Sequence, residues 1–288
     1  MKKSLIASWL FFFFIGFAPQ NATCQNALKI WREFAEVLKK GEFPTEKIRP
    51  YYESFRDPIL GYLKEMRAKA NWKEWEAVPE IHQVENKIHF IIPLTFDAVT
   101  TTYCLTFLDE KDNWYFQHIE AITIRLDKLT DLPASTFPEV PEATKAHIRE
   151  EGRVSEMVRL FNFLAKEKGK DFAFSWFKDG YGYALAAQTW VPFFTLAKSL
   201  ILFLCWEQEN LHGNDVTLEK LTEDEALVRL QLLYFHLYKV AAHLKQQISS
   251  EDYRKIFETI WQDRAEKAGW KIEIKYEGDD CLFRFWKN

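Results

Sequence analysis

Apolar residues at Leu28, Trp31, Phe34, Ala35 and Leu38 recur with helical spacing, and Gly41 follows as a stop, which predicts the first helix of the fold. A second helix is expected over 58–70. After Pro79 the pattern changes to four extended runs, 81–84, 87–96, 100–108 and 114–124, with Asn86 and the polar cluster at 109–113 as turns. Pro93 has no amide to give to a ladder, so its strand must run along an edge or bulge there.

Three prolines, Pro133, Pro138 and Pro141, fall within 127–144 and divide the pattern in two. Beyond them helices dominate. One is expected over 142–166 with Gly169 behind it, and one from Pro192 to about 211. Another is expected over 225–247, opened by the capping pair Thr222 and Glu225. Ser249 or Ser250 caps a further helix that ends at Gly269. The stretch 171–187 reads two ways, as a hairpin turning at Asp179-Gly180 or as a short helix over 171–178. Strands over 271–276 and 281–286, around Gly278, close the chain as a hairpin. The expected class is α+β. A helix-plus-curved-sheet domain over 25–126 precedes a proline-rich linker over 127–144 and a mainly helical domain with a terminal hairpin over 145–288.

The first 24 residues stand apart from this pattern. Lys2 and Lys3 precede a short apolar run containing Phe11, Phe12, Phe13 and Phe14, and a small-polar tail leads to Cys24. That order predicts a secretory signal peptide cut after Cys24, with lipidation of Cys24 as the alternative. The protein is therefore expected to be exported, periplasmic or secreted, with no transmembrane span in the mature chain, because the run falls short of the roughly 20 residues a span requires.

Removing that segment takes away two lysines and no acid, so the formal charge falls from −4 to −6. Such a balance argues against nucleic acid as a partner. The 25 Phe, 11 Trp and 11 Tyr imply a dense core or a ligand cavity. Cys104, Cys205 and Cys281 sit in apolar settings and allow at most one internal bridge. No glycine-rich phosphate loop, serine elbow, HExxH or CxxC is present, so no cofactor or metal is expected.

Three constellations carry candidate chemistry. Glu207 lies four, seven and eleven residues after Phe203, Leu200 and Leu196, so its carboxylate shares their apolar face, unless the helix end emerges there as a solvated rim. On the expected helix over 225–247, a polar stripe holds Arg229, His236, Lys239 and His243. His236 and His243 would stand about 10 Å apart along its axis, too far for one metal ion. The stripe is either a solvated edge or a pocket lining, in which His236 or His243 works with Glu207 as acid or base and Arg229 or Lys239 holds an anion. In the sheet, alternation puts Trp114, Phe116, His118 and Glu120 on one face. His118 and Glu120 there form a satisfied core pair or line a ligand cavity with Trp114.

With long helices first and a meander ending in Trp114-Tyr115-Phe116, residues 26–126 resemble the nuclear transport factor 2-like fold. The resemblance implies a cone whose concave sheet face holds a small molecule, in a family that hosts enzymes, binding proteins and assembly modules alike. The ending Gly278-Asp279-Asp280-Cys281-Leu282-Phe283-Arg284-Phe285 resembles the closing hairpin of the L-2-amino-thiazoline-4-carboxylic acid hydrolase group. That likeness implies a ligand-binding or hydrolytic domain with Cys281 at the pattern's cysteine. The expected function is binding of a small, partly apolar molecule or a partner protein in the cell envelope. The alternatives are a cofactor-free hydrolase built on Glu207, His236 and His243, and a two-domain module that bridges envelope proteins.

Overall fold

The computed structural model describes residues 18–96, 99–110, 113–122, 139–278 and 280–287, with side chains from Gln25 onward. Residues 1–17, with most of the N-terminal apolar run, and residues 123–138, with most of the proline-rich stretch, lie outside them. The class is α+β. Contacts divide the chain into two compact units, residues 1–56 with 62–125 and residues 126–288 with 57–61.

The N-terminal part runs through α1 (Ala18–Lys40), α2 (Arg56–Lys69) and the single turn α3 (Trp72–Trp75) into a curved antiparallel sheet. Its strands β1 (Glu80–Val84), β2 (Lys87–Phe96), β3 (Val99–Glu110) and β4 (Asn113–Ala121) lie in chain order. Gly41 takes φ +81° directly after α1, a conformation that favours glycine and ends the helix. Of the predicted stripe of α1, Trp31, Phe34 and Leu38 are almost without exposure and Leu28 and Ala35 are half-buried, and Ile30, outside the predicted stripe, is buried with them. Its rings meet Phe90, Phe107, Trp114 and Phe116 of the sheet.

β2 outlasts β1, which pairs only with Lys87 to Ile91. Pro93 therefore lies where β2 has β3 alone as a neighbour, which is how a strand second in the sheet tolerates it. Two residues on, the Thr95 amide points to the same open side and donates to Glu74 Oε2 at 2.6 Å, while the Thr95 hydroxyl donates to Oε1 at 2.7 Å. Burial acts to raise the Glu74 pKa, but the bonds from Thr95 and Asn71 outweigh it and hold the carboxyl below its usual range.

The C-terminal part begins with α4 (Glu142–Lys168), α5 (Lys170–Trp176), α6 (Gly180–Trp190) and α7 (Leu196–Asn210). Helix α4 opens directly after Pro141, so residues 142–144 of the expected linker are helical. The stretch 171–187 is helical on both sides of Asp179, not a hairpin. There α6 crosses α10 (Ser250–Lys267) so closely that a Cβ on Gly180 would lie 2.6 Å from the Asp263 carbonyl oxygen. The Gly180 amide donates to Asp263 Oδ2 at 2.8 Å.

The helix expected over 225–247 does not form. In its place stand β6 (Glu225–Gln231), paired with β5 (Asp215–Leu221), and then α8 (Leu233–Val240) and α9 (Ala242–Lys245). Ala226, Val228 and Leu230 are fully buried and alternate with half-buried neighbours, so the true period is two. The capping signature served a turn instead. The Thr222 hydroxyl accepts from the amides of Asp224 and Glu225 and closes the β5–β6 hairpin. Extended backbone at Leu232 and Ala241 then delimits the two short helices. Ser249 caps α10 (Ser250–Lys267) as expected, and the predicted final hairpin is β7 (Lys271–Glu277) and β8 (Asp280–Trp286). It completes a four-stranded sheet in the order β5-β6-β8-β7. Val228, Leu230, Phe283 and Phe285 of this sheet pack with Leu200, Leu204, Phe257 and Trp261 of α7 and α10.

Candidate functional site

Glu207 sits half-buried on α7, on the apolar row read from its spacing, and it is paired. The Tyr183 hydroxyl donates to Glu207 Oε2 at 2.7 Å. Beside it, the Arg264 guanidinium lies 3.8 Å from the centre of the Tyr183 ring and 4.7 Å from that of Trp261. Two hydrogen bonds of 2.8 and 2.6 Å tie it to Asp179. Burial pushes the Tyr183 hydroxyl well above its usual pKa, and Glu207 adds to that. The structure pairs Glu207 with Tyr183, while His243 meets Ser155 and Glu151 and His236 lies beside His147.

The polar stripe of four is split between a strand and two helices. Arg229 lies on β6 and pairs with Glu219 of the neighbouring β5 at 2.8 Å and, across β8, with Glu277 of β7 at 2.9 Å. Those carboxylates hold its guanidinium above the ordinary range. His236 and Lys239 are exposed on α8. His243, on α9, joins a cluster that the sequence reading missed. Its Nδ1 lies 3.3 Å from Glu151 Oε1, and its Nε2 lies 2.9 Å from Ser155 Oγ. His147 Nε2 stands 3.6 Å from the other oxygen of Glu151, and the His147 and His236 rings are 6.5 Å apart. His147, Glu151 and Ser155 are four residues apart along α4 and so share one face. That spacing was the available signal. Its partner His243 was not visible, because it arrives from 88 positions away.

Trp114 is buried in the core of the first unit, and its ring nitrogen donates to Glu33 at 2.8 Å. His118 and Glu120 are not on its face. Phe107 pairs with Phe116 and Thr106 with His118, so Gln117 is an extra residue in β4, a bulge that reverses the alternation beyond it. Ile119 turns inward, while His118 and Glu120 turn to the outer face, 3.8 Å from one another. There a single row crosses all four strands, with His82, His89, Thr106 and His118 directly opposite their neighbours.

Burial lowers the pKa of His89 and His118. Lys87 lowers both further, and Glu120 partly opposes the fall at His118. Below pH 6.5 the unfolded chain takes up protons that these two imidazoles resist in the folded state. Stability is therefore complete above that pH and falls as the solution is acidified. Urea midpoints at pH 7.5 and 5.5 should show this loss, with a flatter profile in a His89→Gln/His118→Gln variant. An unchanged profile in the variant would assign the effect elsewhere.

Among the described residues, no group of three or more His, Cys, Asp and Glu side chains is arranged to hold a metal ion. Cys205 and Cys281 are free thiols, and Cys104 Sγ lies 3.9 Å from His89 Nδ1. Burial raises Cys205 and Cys281 to about 12, and Cys281 packs in the second core, which suits packing and not nucleophilic work. An open groove of about 300 Å³ lies between α5 and α10, with Asp171, Lys178, Lys255 and Glu266 of mixed charge along it.

The surface of the second unit carries exposed aromatic residues between 172 and 206. Phe193 is 90% exposed, Tyr181 78% and Trp190 65%, with Trp176 and Trp206 also open. Trp190 stacks on Trp206 with 5.3 Å between ring centres, and Lys267 stands 5.1 Å from the Tyr181 ring. No helix among the described residues is long and apolar enough to cross a membrane. In comparisons with known proteins the chain matches no family model, no curated protein and no solved structure.

Proposed function

We propose that the protein is a binding module of the cell envelope, which docks by exposed aromatic residues of its second unit on an anionic lipid surface. The observation that carries this reading is the exposure of Tyr181, Trp190 and Phe193, with Trp190 stacked on the exposed Trp206, since adjoining exposed aromatic groups mark an interaction surface. Composition favours lipid over protein. Residues 160–200 hold Lys166, Lys168, Lys170, Lys178 and Lys198 and no arginine, against Glu167, Asp171 and Asp179, a net +2 in a chain of −4. Protein interfaces favour arginine and deplete lysine, whereas lysines beside tryptophan and tyrosine suit a charged bilayer surface. Export, read from the charged and apolar N-terminal segment, would bring the chain to such a surface. The nuclear transport factor 2-like reading of the first unit remains a proposal of fold. Its expected hollow gives little support to small-molecule binding, because Phe34 of α1 packs on Phe107 and Phe116 and all three are wholly buried.

Co-sedimentation of the full chain with vesicles tests the reading. Vesicles containing phosphatidylglycerol should carry the protein down, and purely zwitterionic ones should carry much less. Burying one aromatic side chain contributes roughly 1.5–3 kcal/mol, so a Trp190→Ser/Phe193→Ser variant should bind at least about a hundredfold more weakly. Absence of binding to anionic vesicles, or unchanged binding by the variant, would sink the proposal.

A further inference from the structure

We infer that Ser155 is an acylable nucleophile, activated by His243 as general base and positioned by Glu151, and that it cleaves small uncharged esters. The geometry has the three parts such chemistry requires: a hydroxyl, a base within reach of it, and an acid that orients the base. Ser155 Oγ is 2.9 Å from His243 Nε2, and Glu151 Oε1 is 3.3 Å from Nδ1. With the imidazole proton on Nδ1, facing Glu151, Nε2 is left to accept from the serine. At rest the hydroxyl donates its one proton to the Glu151 carbonyl at 2.7 Å, which holds Oγ on the side of α4 where His243 arrives, and the proton turns to Nε2 as Oγ attacks. The Glu151 and His243 side chains each keep 26% of their surface open, so a small ester can reach the group from solvent. The carboxylate at the centre disfavours an anionic substrate, hence an uncharged one.

In the step inferred, Oγ adds to the ester carbonyl carbon and its proton passes to Nε2. The carbon–oxygen bond to the alcohol then breaks, and the alcohol departs with that proton, leaving an acyl-serine. Water adds to the acyl carbon and gives a proton to Nε2, which returns it to Oγ as the carboxylic acid leaves. The sum is ester plus water giving acid plus alcohol, with no other reactant.

The full chain should be treated with p-nitrophenyl acetate and, separately, with a fluorophosphonate probe, and the adduct located by peptide mass spectrometry. One adduct on Ser155 is expected. It should be absent in Ser155→Ala, a change that suits a helix interior and should leave the circular dichroism spectrum intact. Loss of a positioned general base costs typically 10²–10⁴-fold, so His243→Asn should label at least about a hundredfold more slowly. Glu151→Gln should slow labelling with little change in melting temperature, as fits a positioning residue. Failure of the native chain to acquire an adduct, an adduct elsewhere, or equal labelling of His243→Asn would each overturn the inference.

Discussion

Phe34→Ala is expected to destabilise the first unit by about 3–5 kcal/mol, the usual cost of deleting a buried phenylalanine ring. Few single changes in this chain should do more. The ring is wholly buried, with Trp31, Phe43, Trp75, Phe107, Trp114 and Phe116 all within 6.5 Å between centres. It stacks nearly parallel on Phe116 and meets Phe107 and Trp114 edge-on, an arrangement no smaller side chain restores. A domain typically holds only about 5–15 kcal/mol in all, so the variant would be near its unfolding threshold. For roughly a hundred residues the melting midpoint should drop by on the order of 12–40 °C. Amide exchange in α1 and β2–β4 measures this locally. Exchange rates within a few-fold of the native protein would refute the central role given to the ring.

Arg264→Ala should be the costliest polar change in the second unit, at about 3 kcal/mol. Its side chain is only 15% exposed and spans two rings while binding both Asp179 oxygens through Nε and Nη2 along one edge of the guanidinium. Deletion removes the ring contacts and leaves a gap against Tyr183 and Trp261. Asp179 is 47% exposed and returns to water cheaply, which keeps the cost below that of a fully enclosed pair. Arg264→Lys keeps the charge but not the planar fork, so about half of the loss should remain. Urea titrations of the two variants give both numbers. A value for Arg264→Ala within about 0.5 kcal/mol of the native chain would mean that the packing is adventitious.

Where local pattern and tertiary packing agree, the chain is readable. The spacing of Trp31, Phe34 and Leu38, the turn at Asn86 and the cap at Ser249 each name an element that exists. Two failures have distinct causes. The run from Ala226 to Leu237 is apolar at almost every position, so burial on both sides hides whether its period is two or nearly four. Thr222 compounded this, because a hydroxyl that accepts amides two and three residues ahead serves a turn as well as a helix start. The bulge at Gln117 is a different matter. Trp-Tyr-Phe-Gln-His-Ile alternates plausibly in either register, and only pairing with Thr106 and Phe107 reveals the extra residue. That one insertion moved His118 and Glu120 from the expected cavity to the opposite face. The Ser155 cluster was half legible, in the spacing along α4, but contact with His243 depends on how the chain returns.

Glu74 and Pro93 have a consequence for association between molecules. The last residues of β2 extend past β1 and would otherwise offer a bare backbone rail on which a strand from another copy could lie down. Pro93 has no hydrogen to give a newcomer, and the Thr95 amide is already engaged by a carboxylate from a separate turn of helix. The sheet stops growing there by local chemistry instead of by an added strand, which protects a β-rich unit from fibre-like self-addition.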